Sequence, residues 1–206
     1  MHSRMIIPYI YKSLRFAFNL LFRWTDIILT HIRLKGNGVS YSSFRTSGIP
    51  YVMVARGGVC VIGRNFAMNN GIKGNPIGFY ARCTFFVDRD CHLTIGDNVG
   101  ISQTALVALD DLTIGDNVKI GGGTCIYTSD FHSLDAQLRA SKDDSKHRKS
   151  APVVIENDVL IGARCIILKG VTIGSCSIIG AGSVVTRSIP PNQIWAGNPA
   201  QFIRMI

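Results

Sequence analysis

Between Ile155 and Val185 an aliphatic side chain occupies every sixth position: Ile155, Ile161, Ile167, Ile173, Ile179 and Val185. The same interval links Ile95, Ile101 and Val107 and, after a slip of one residue, Ile114, Ile120 and Ile126. Four residues after nearly every member comes a small or β-branched side chain: Val99, Ala105, Val118, Thr124, Val159, Cys165, Val171, Ser177, Ser183. A helix repeats every 3.6 residues and a half-buried strand every two, so neither produces a strict six with a second small site. A solenoid does, because each six-residue rung turns one large and one small residue inward and stacks on the next. The pattern therefore predicts a parallel β-solenoid of about six coils.

Imperfect rungs are expected at Ile62 and Met68, then at Ile77 and Cys83, eighteen residues before Ile95 and Ile101. Residues 39–60 read as an irregular first rung or cap. After Ile126 the beat breaks. If Ile155 takes the slot due at position 132, 23 residues are left over, which defines a polar, charged excursion at about 128–152. A loop this long inside a compact domain is usually functional or disordered. Pro190-Pro191, Trp195 and Gly197-Asn198-Pro199 close the last rung, since proline cannot continue ladder bonding.

The first 38 residues carry a different pattern. Lys12, Arg15, Asn19, Arg23, Asp26, Thr30 and Arg33 are spaced three or four apart and draw one narrow polar stripe along a helix. The remaining surface (Phe16, Phe18, Leu20, Leu21, Phe22, Trp24, Ile27, Ile28, Leu29) is broadly apolar. Gly36, Asn37 and Gly38 supply a stop signal after Lys35. Such a helix either packs on the solenoid or a neighbouring subunit, or lies in a bilayer interface with its cations at the headgroups. The organisation expected is an amphipathic helix over 1–38 followed by a β-helix domain over 39–206.

Charge sharpens that choice. The chain is +9 overall, and residues 1–35 hold six Lys/Arg (Arg4, Lys12, Arg15, Arg23, Arg33, Lys35) against Asp26, a net of +5. A basic balance suits nucleic acid, an anionic membrane surface or an anionic cofactor. No helix-turn-helix, zinc-finger or RNP pattern accompanies it, so no nucleic-acid partner is expected. The six cysteines form no CxxC pair and no signal-peptide cleavage pattern precedes them, which makes the cytosol the expected compartment, with contact at the inner face of the membrane. No stretch reaches the eighteen or so apolar residues of a transmembrane helix.

Three features together resemble the hexapeptide-repeat acyltransferases: the repeat, the segment Tyr127-Thr128-Ser129-Asp130-Phe131-His132-Ser133-Leu134 at the mouth of the excursion, and the ending Ile179-Gly180-Ala181-Gly182-Ser183-Val184-Val185-Thr186-Arg187 followed by Ile189-Pro190-Pro191 and Ala196-Gly197-Asn198-Pro199-Ala200. The likeness covers about residues 62–204 and is nearest to the maltose, galactoside and nodulation-factor O-acetyltransferase branch and to polysaccharide O-acetyltransferases. It implies an all-β fold, a left-handed parallel β-helix, assembled as a homotrimer. It also implies acetyl-coenzyme A as acyl donor, no metal, and a sugar or lipid-linked saccharide as acceptor, in bacterial surface polysaccharide biosynthesis.

Acetyl transfer to a hydroxyl needs a base, because an alcohol is almost wholly protonated at neutral pH; histidine suits that task. The family's catalytic histidine falls on His132. Asp130 or a backbone carbonyl could hold its other ring nitrogen, with Phe131 beside it on the acceptor side. Where relatives often carry an acid, this chain has Thr128. The family's polar acceptor contact, commonly Asn, falls near Ser102, so either a hydroxyl replaces the amide or the contact is absent. Donor contacts carried over position by position land on Ala163, Ala181, Thr186, Arg187 and Arg204, the two arginines as phosphate partners. At Gln201 relatives often carry arginine. Alternatives are a serine or antibiotic O-acetyltransferase, a metal-dependent solenoid like the carbonic anhydrases, which needs three convergent histidines, and a scaffold without activity. His92, His132 and His147 have no ligand-like spacing.

Overall fold

The computed structural model describes residues 3–206. Helix α1 (Ser3–Gly36) ends where the Asn37 N–H reaches the Arg33 and Leu34 carbonyls and Gly38 turns to φ +70°. Leu34, fully buried, plugs the helix into the start of the core.

The described residues then wind six coils of three short strands each. The first coil is β1 (Ser40–Tyr41), β2 (Phe44–Ser47) and β3 (Tyr51–Val54); the second is β4 (Val59–Ile62), β5 (Phe66–Asn69) and β6 (Thr84–Val87). A short helix, α2 (Gly71–Gly74), lies between β5 and β6. Next come β7 (His92–Ile95), β8 (Gly100–Ser102) and β9 (Ala105–Ala108), then β10 (Leu112–Ile114), β11 (Lys119–Ile120) and β12 (Cys125–Tyr127). After α3 (Ala136–Arg139) in the excursion, β13 (Val153–Ile155), β14 (Leu160–Ile161) and β15 (Ile166–Ile167) form the fifth coil. The sixth is β16 (Thr172–Ile173), β17 (Ile178–Ile179) and β18 (Val184–Val185). Each strand pairs in parallel with the strand three places along, which produces three faces: A from β1, B from β2 and C from β3. Strand β19 (Gln193–Gly197) extends face B, and β20 (Ala200–Met205) folds back on it antiparallel. This is the parallel β-helix that the period of six anticipates, preceded by the helix that the polar stripe anticipates.

The ladders stack like on like. Face A aligns Ile62, Ile95, Ile114, Ile155 and Ile173; face B aligns Met68, Ile101, Ile120, Ile161 and Ile179. Face C aligns Phe85, Leu106, Ile126, Ile167 and Val185. All are buried, each contributing about 1.5–3 kcal/mol of transfer free energy. At the corners the chain passes so close to the next coil that a side chain cannot fit. A Cβ on Gly162 would lie 2.5 Å from the Ala181 nitrogen. The A-to-B corners are tied by an amide ladder in which Asn65 donates to Asn98, Asn98 to Asn117 and Asn117 to Asp158, at 2.9–3.1 Å.

Four elements differ from what the sequence pattern predicts. Residues 39–60 are not an irregular cap but a first coil in register with the second, Val61 and Ile62 lying against Ser40 and Tyr41. Ile77 is no rung: it sits, 45% exposed, in a loop between β5 and β6, and its eighteen-residue spacing from Ile95 is coincidental. Cys83 takes a small inward site, two residues before Phe85, rather than a large one. On face C the inward residue is Leu106, not Val107, with Thr104 rather than Ala105 before it, because twenty residues separate Leu106 from its partner Ile126.

The inward place of Leu106 can be measured. Leu106→Ala should lower unfolding stability by about 2–5 kcal/mol in urea denaturation. Val107→Ala should cost less than about 1 kcal/mol; equal losses would put both side chains in the core.

Candidate active site

Ile155 pairs with Ile114, 41 residues earlier; eighteen of these make a coil and 23 leave the solenoid at the corner between faces C and A. The neck is closed by an antiparallel bridge between Ser129 and Ser150, with Asp130 N–H to Lys149 O at 3.0 Å and Ala151 N–H to Thr128 O at 2.9 Å. Thr128 is fully buried: its hydroxyl accepts from the Leu109 and Asp110 N–H groups at 2.8 and 3.0 Å, so it pins the neck to the coil below. Further out, the Arg148 guanidinium donates to Asp88 at 2.5 Å across 60 residues of chain. Burial pushes the Asp88 carboxyl up, but the Arg89 N–H and Arg148 outweigh it and the net direction is down.

His132 stands just beyond this neck, its side chain 68% exposed. Its Nδ1 lies 2.6 Å from Asp144 Oδ2, and the other Asp144 oxygen accepts the Ser133 N–H at 2.7 Å. These bonds, that from His132 first, hold the Asp144 carboxyl below the usual carboxylate range. A carboxylate at Nδ1 favours the proton on that nitrogen and leaves Nε2 as the proton acceptor. Phe131, in the left-handed region at φ +66°, packs edge-on against Tyr127 with ring centroids 5.2 Å apart, which sets the direction in which the chain carries His132. An imidazole with a carboxylate on its Nδ1 thus stands at an accessible position, an arrangement chemically able to take up a proton.

Asp130 does not orient His132. Its Oδ1 accepts from Lys169 Nζ at 2.5 Å, which ties the excursion to the fifth coil, and its Oδ2 is buried without a partner. Asp144 takes the place expected of Asp130. Neither Asp144 nor Lys169 carries a pattern in sequence: Asp144 sits in the run Asp143-Asp144-Ser145-Lys146, and only the curl of the excursion returns it to His132.

The other expected residues lie elsewhere. Ser102 ends β8 at the B-to-C corner, 8% exposed, and its hydroxyl meets the Asn69 and Asn75 amides at 3.2 Å each. Ala163 and Ala181 stack on that same corner, above Gly121 and Gly162. Thr186 and Arg187 follow β18 at the C-to-A corner, the corner of His132. Arg187 lies over the Trp195 ring at 5.0 Å and donates to Gln201 at 2.8 Å, while Arg204 on β20 donates to Met205 O at 3.0 Å. One chain therefore joins His132, Thr186 and Arg187 to one corner and Ser102, Ala163 and Ala181 to another. His92 pairs with Asp111 at 2.9 Å, apart from His132. No group of three or more His, Cys, Asp or Glu side chains able to hold a metal occurs among the described residues.

Residues 152–187 match the bacterial transferase hexapeptide family, as six repeats. A galactoside O-acetyltransferase of Escherichia coli (strain K12) is 38% identical over 128 residues, 59% of this chain and 61% of that protein. The chain thus spans about three-fifths of that curated relative's length. Among solved structures, a galactoside acetyltransferase in complex with coenzyme A is 30% identical with a TM-score of 0.52, over 81% of this chain and 64% of that one. AntD, an N-acyltransferase from Bacillus cereus, shares the fold at a TM-score of 0.61 and 21% identity, over 85% and 86% of the two chains.

The Asp144 contacts carry a pH dependence of known sign. Because its folded-state pKa is depressed, they are fully present above the ordinary carboxylate range and are lost as pH falls through the lowered value. Hydrogen exchange at the Ser133 amide should therefore show protection at neutral pH that fades in acid, and Asp144→Asn should weaken it at neutral pH. Unchanged protection in the variant would remove Asp144 from this role.

Proposed function

We propose that this chain, built on the repeats of the bacterial transferase hexapeptide family, is an acetyl-coenzyme A-dependent O-acetyltransferase acting on a sugar hydroxyl in surface-polysaccharide biosynthesis. The observation that carries the reading is the His132–Asp144 pair at the mouth of an ordered excursion, on a solenoid similar to a galactoside acetyltransferase that binds coenzyme A. The acceptor hydroxyl gives its proton to His132 Nε2 as its oxygen bonds to the thioester carbonyl carbon. The tetrahedral intermediate collapses, the carbon–sulfur bond breaks, and the proton passes from His132 to the departing thiolate. Asp144 acts as a positioning residue, holding the tautomer and stabilising the imidazolium.

Transfer is direct, in a ternary complex. Burial pushes the Cys60 and Cys83 thiols up to about 12 and about 11, and Cys165 in the same direction, which disfavours a nucleophilic thiolate at these three positions. The distribution of candidate residues over two corners supports a homotrimer, the B-to-C corner of one copy meeting the C-to-A corner of the next. The exposed aliphatics Leu160 and Ile166 flank the first of these and suit such a contact. Small residues at Ala163 and Ala181 leave room for the pantetheine arm, and Arg187 and Arg204 meet its phosphates. The protein works in the cytoplasm, where residues 1–35 bring it to the inner face of the membrane and to lipid-linked acceptors.

Thiol release from acetyl-coenzyme A across a panel of oligosaccharides, serine and chloramphenicol tests the class of acceptor; release with serine or chloramphenicol and none with any saccharide would overturn the sugar reading. His132→Ala should cut kcat by about 10²–10⁴ with little change in the KM for donor, and His92→Ala and His147→Ala should lose far less. Near-normal turnover of His132→Ala would end the mechanism. Replacing Arg187 and Arg204 with Ala should raise the donor KM well above any change in the acceptor KM, at about 1.5–3 kcal/mol per charged hydrogen bond.

A further inference from the structure

A surface helix ordinarily turns its apolar face to the body and its charges to water. Helix α1 is mounted the other way round. Asp26 Oδ2 accepts the Gly48 N–H at 2.7 Å, Arg33 donates to Pro50 O at 2.8 Å, and Thr30 and Leu34 are buried, so the polar stripe faces the solenoid. At a turn of about 100° per residue, Ile10, Leu14, Trp24, Ile28 and Ile32 lie on the opposite side. They are 54–66% exposed. No helix among the described residues is long and apolar enough to cross a membrane.

Behind the helix, the stripe and the first two coils enclose a groove of about 390 Å³. Three arginines line it: Arg15 and Arg23 from α1 and Arg45 from β2. Asp26, in the same groove, is turned to the Gly48 amide, and none of the three arginines forms an ion pair among the described residues. A continuous apolar face on the helix and a groove beside it with three arginines free of ion pairs among the described residues call for one amphiphile, with acyl chains for the first and an anionic oxygen cluster for the second. The +5 balance of residues 1–35 gives the matching charge.

We propose that α1 seats the protein on a leaflet of anionic phospholipids, its apolar face among the acyl chains, while Arg15, Arg23 and Arg45 hold the phosphate of an anionic headgroup in the groove. An interfacial helix sinks to the boundary of headgroups and chains, so phosphates lie level with its polar edge. The inference rests on the peripheral contact of residues 1–35 and is independent of acetyl transfer.

The test is sedimentation of the full chain with vesicles of phosphatidylcholine alone and of phosphatidylcholine with phosphatidylglycerol, read apart from turnover. The protein should bind the second kind, less as salt rises, and Trp24 should contribute a blue-shifted emission that Trp24→Phe removes. Each of Arg15→Gln, Arg23→Gln and Arg45→Gln should weaken binding about fivefold, the equivalent of roughly 1 kcal/mol per charge near an anionic surface. The same net change at Lys142, Lys146 and Lys149 should have far less effect. Binding to neither vesicle overturns the groove and the peripheral contact together; if Ile28→Ser/Ile32→Ser then breaks the assembly in light scattering, the face belongs to a second copy. Vesicle binding that the arginine and lysine sets weaken equally leaves the contact standing and removes the groove. Inorganic phosphate that binds as tightly as phosphatidylglycerol vesicles makes the ligand a soluble anion and overturns the lipid.

Discussion

The hydrogen bonds that hold this molecule together run from coil to coil. The Gly121 N–H reaches Ile161 O, the Gly162 N–H reaches Ile179 O and the Gly180 N–H reaches Trp195 O, each at 2.8 Å. A parallel ladder of this kind exists only if each coil returns in register, and that single requirement dictates most of the rest. It stacks isoleucine on isoleucine along faces A and B, and it excludes side chains from corners such as Gly162, where the next backbone lies closer than a Cβ allows. Where polar atoms stand at a corner, they must bond to their counterparts above and below, as the Asn65–Asn98–Asn117–Asp158 ladder does.

Register is suspended at one place. Within a regular coil the ladder sets where each outward side chain stands. The excursion escapes that rule while remaining anchored to it, through the buried Thr128 hydroxyl, Asp130 on Lys169 and Arg148 on Asp88. It has charged residues where a core would be apolar, yet the His132–Asp144–Ser133 contacts give it an order that composition alone would not suggest.

The last coils were legible because nothing interrupts them: Ile155 to Val185 run in steps of six with no spare residue. Face C of the third coil was misread because Leu106 and Val107 are both aliphatic, and a period can be carried through either when one residue is added between coils. Ile77 fitted the period by chance. Its loop is held by polar bonds, the Gln103 amide donating to Gly71, Asn75 and Phe79 carbonyls, and such bonds leave no hydrophobic signature. The same limit hid Asp144, which lies twelve residues from His132 in a charge run that resembles any solvated surface. The polar stripe of α1 was plain in sequence, but its direction was not, since spacing specifies which residues share a face and says nothing of what that face meets.

The closed neck of the excursion has a consequence for how this scaffold can vary. Ile126 still faces Ile167, and Ile114 still faces Ile155, as though the 23 residues between were not there. Lengthening or exchanging the segment beyond the Ser129–Ser150 bridge leaves every ladder neighbour unchanged and adds a loop-closure entropy that grows only with the logarithm of its length. The solenoid thus behaves as a chassis with one interchangeable cassette, so that new recognition can be grafted at the His132 corner without the core having to be redesigned.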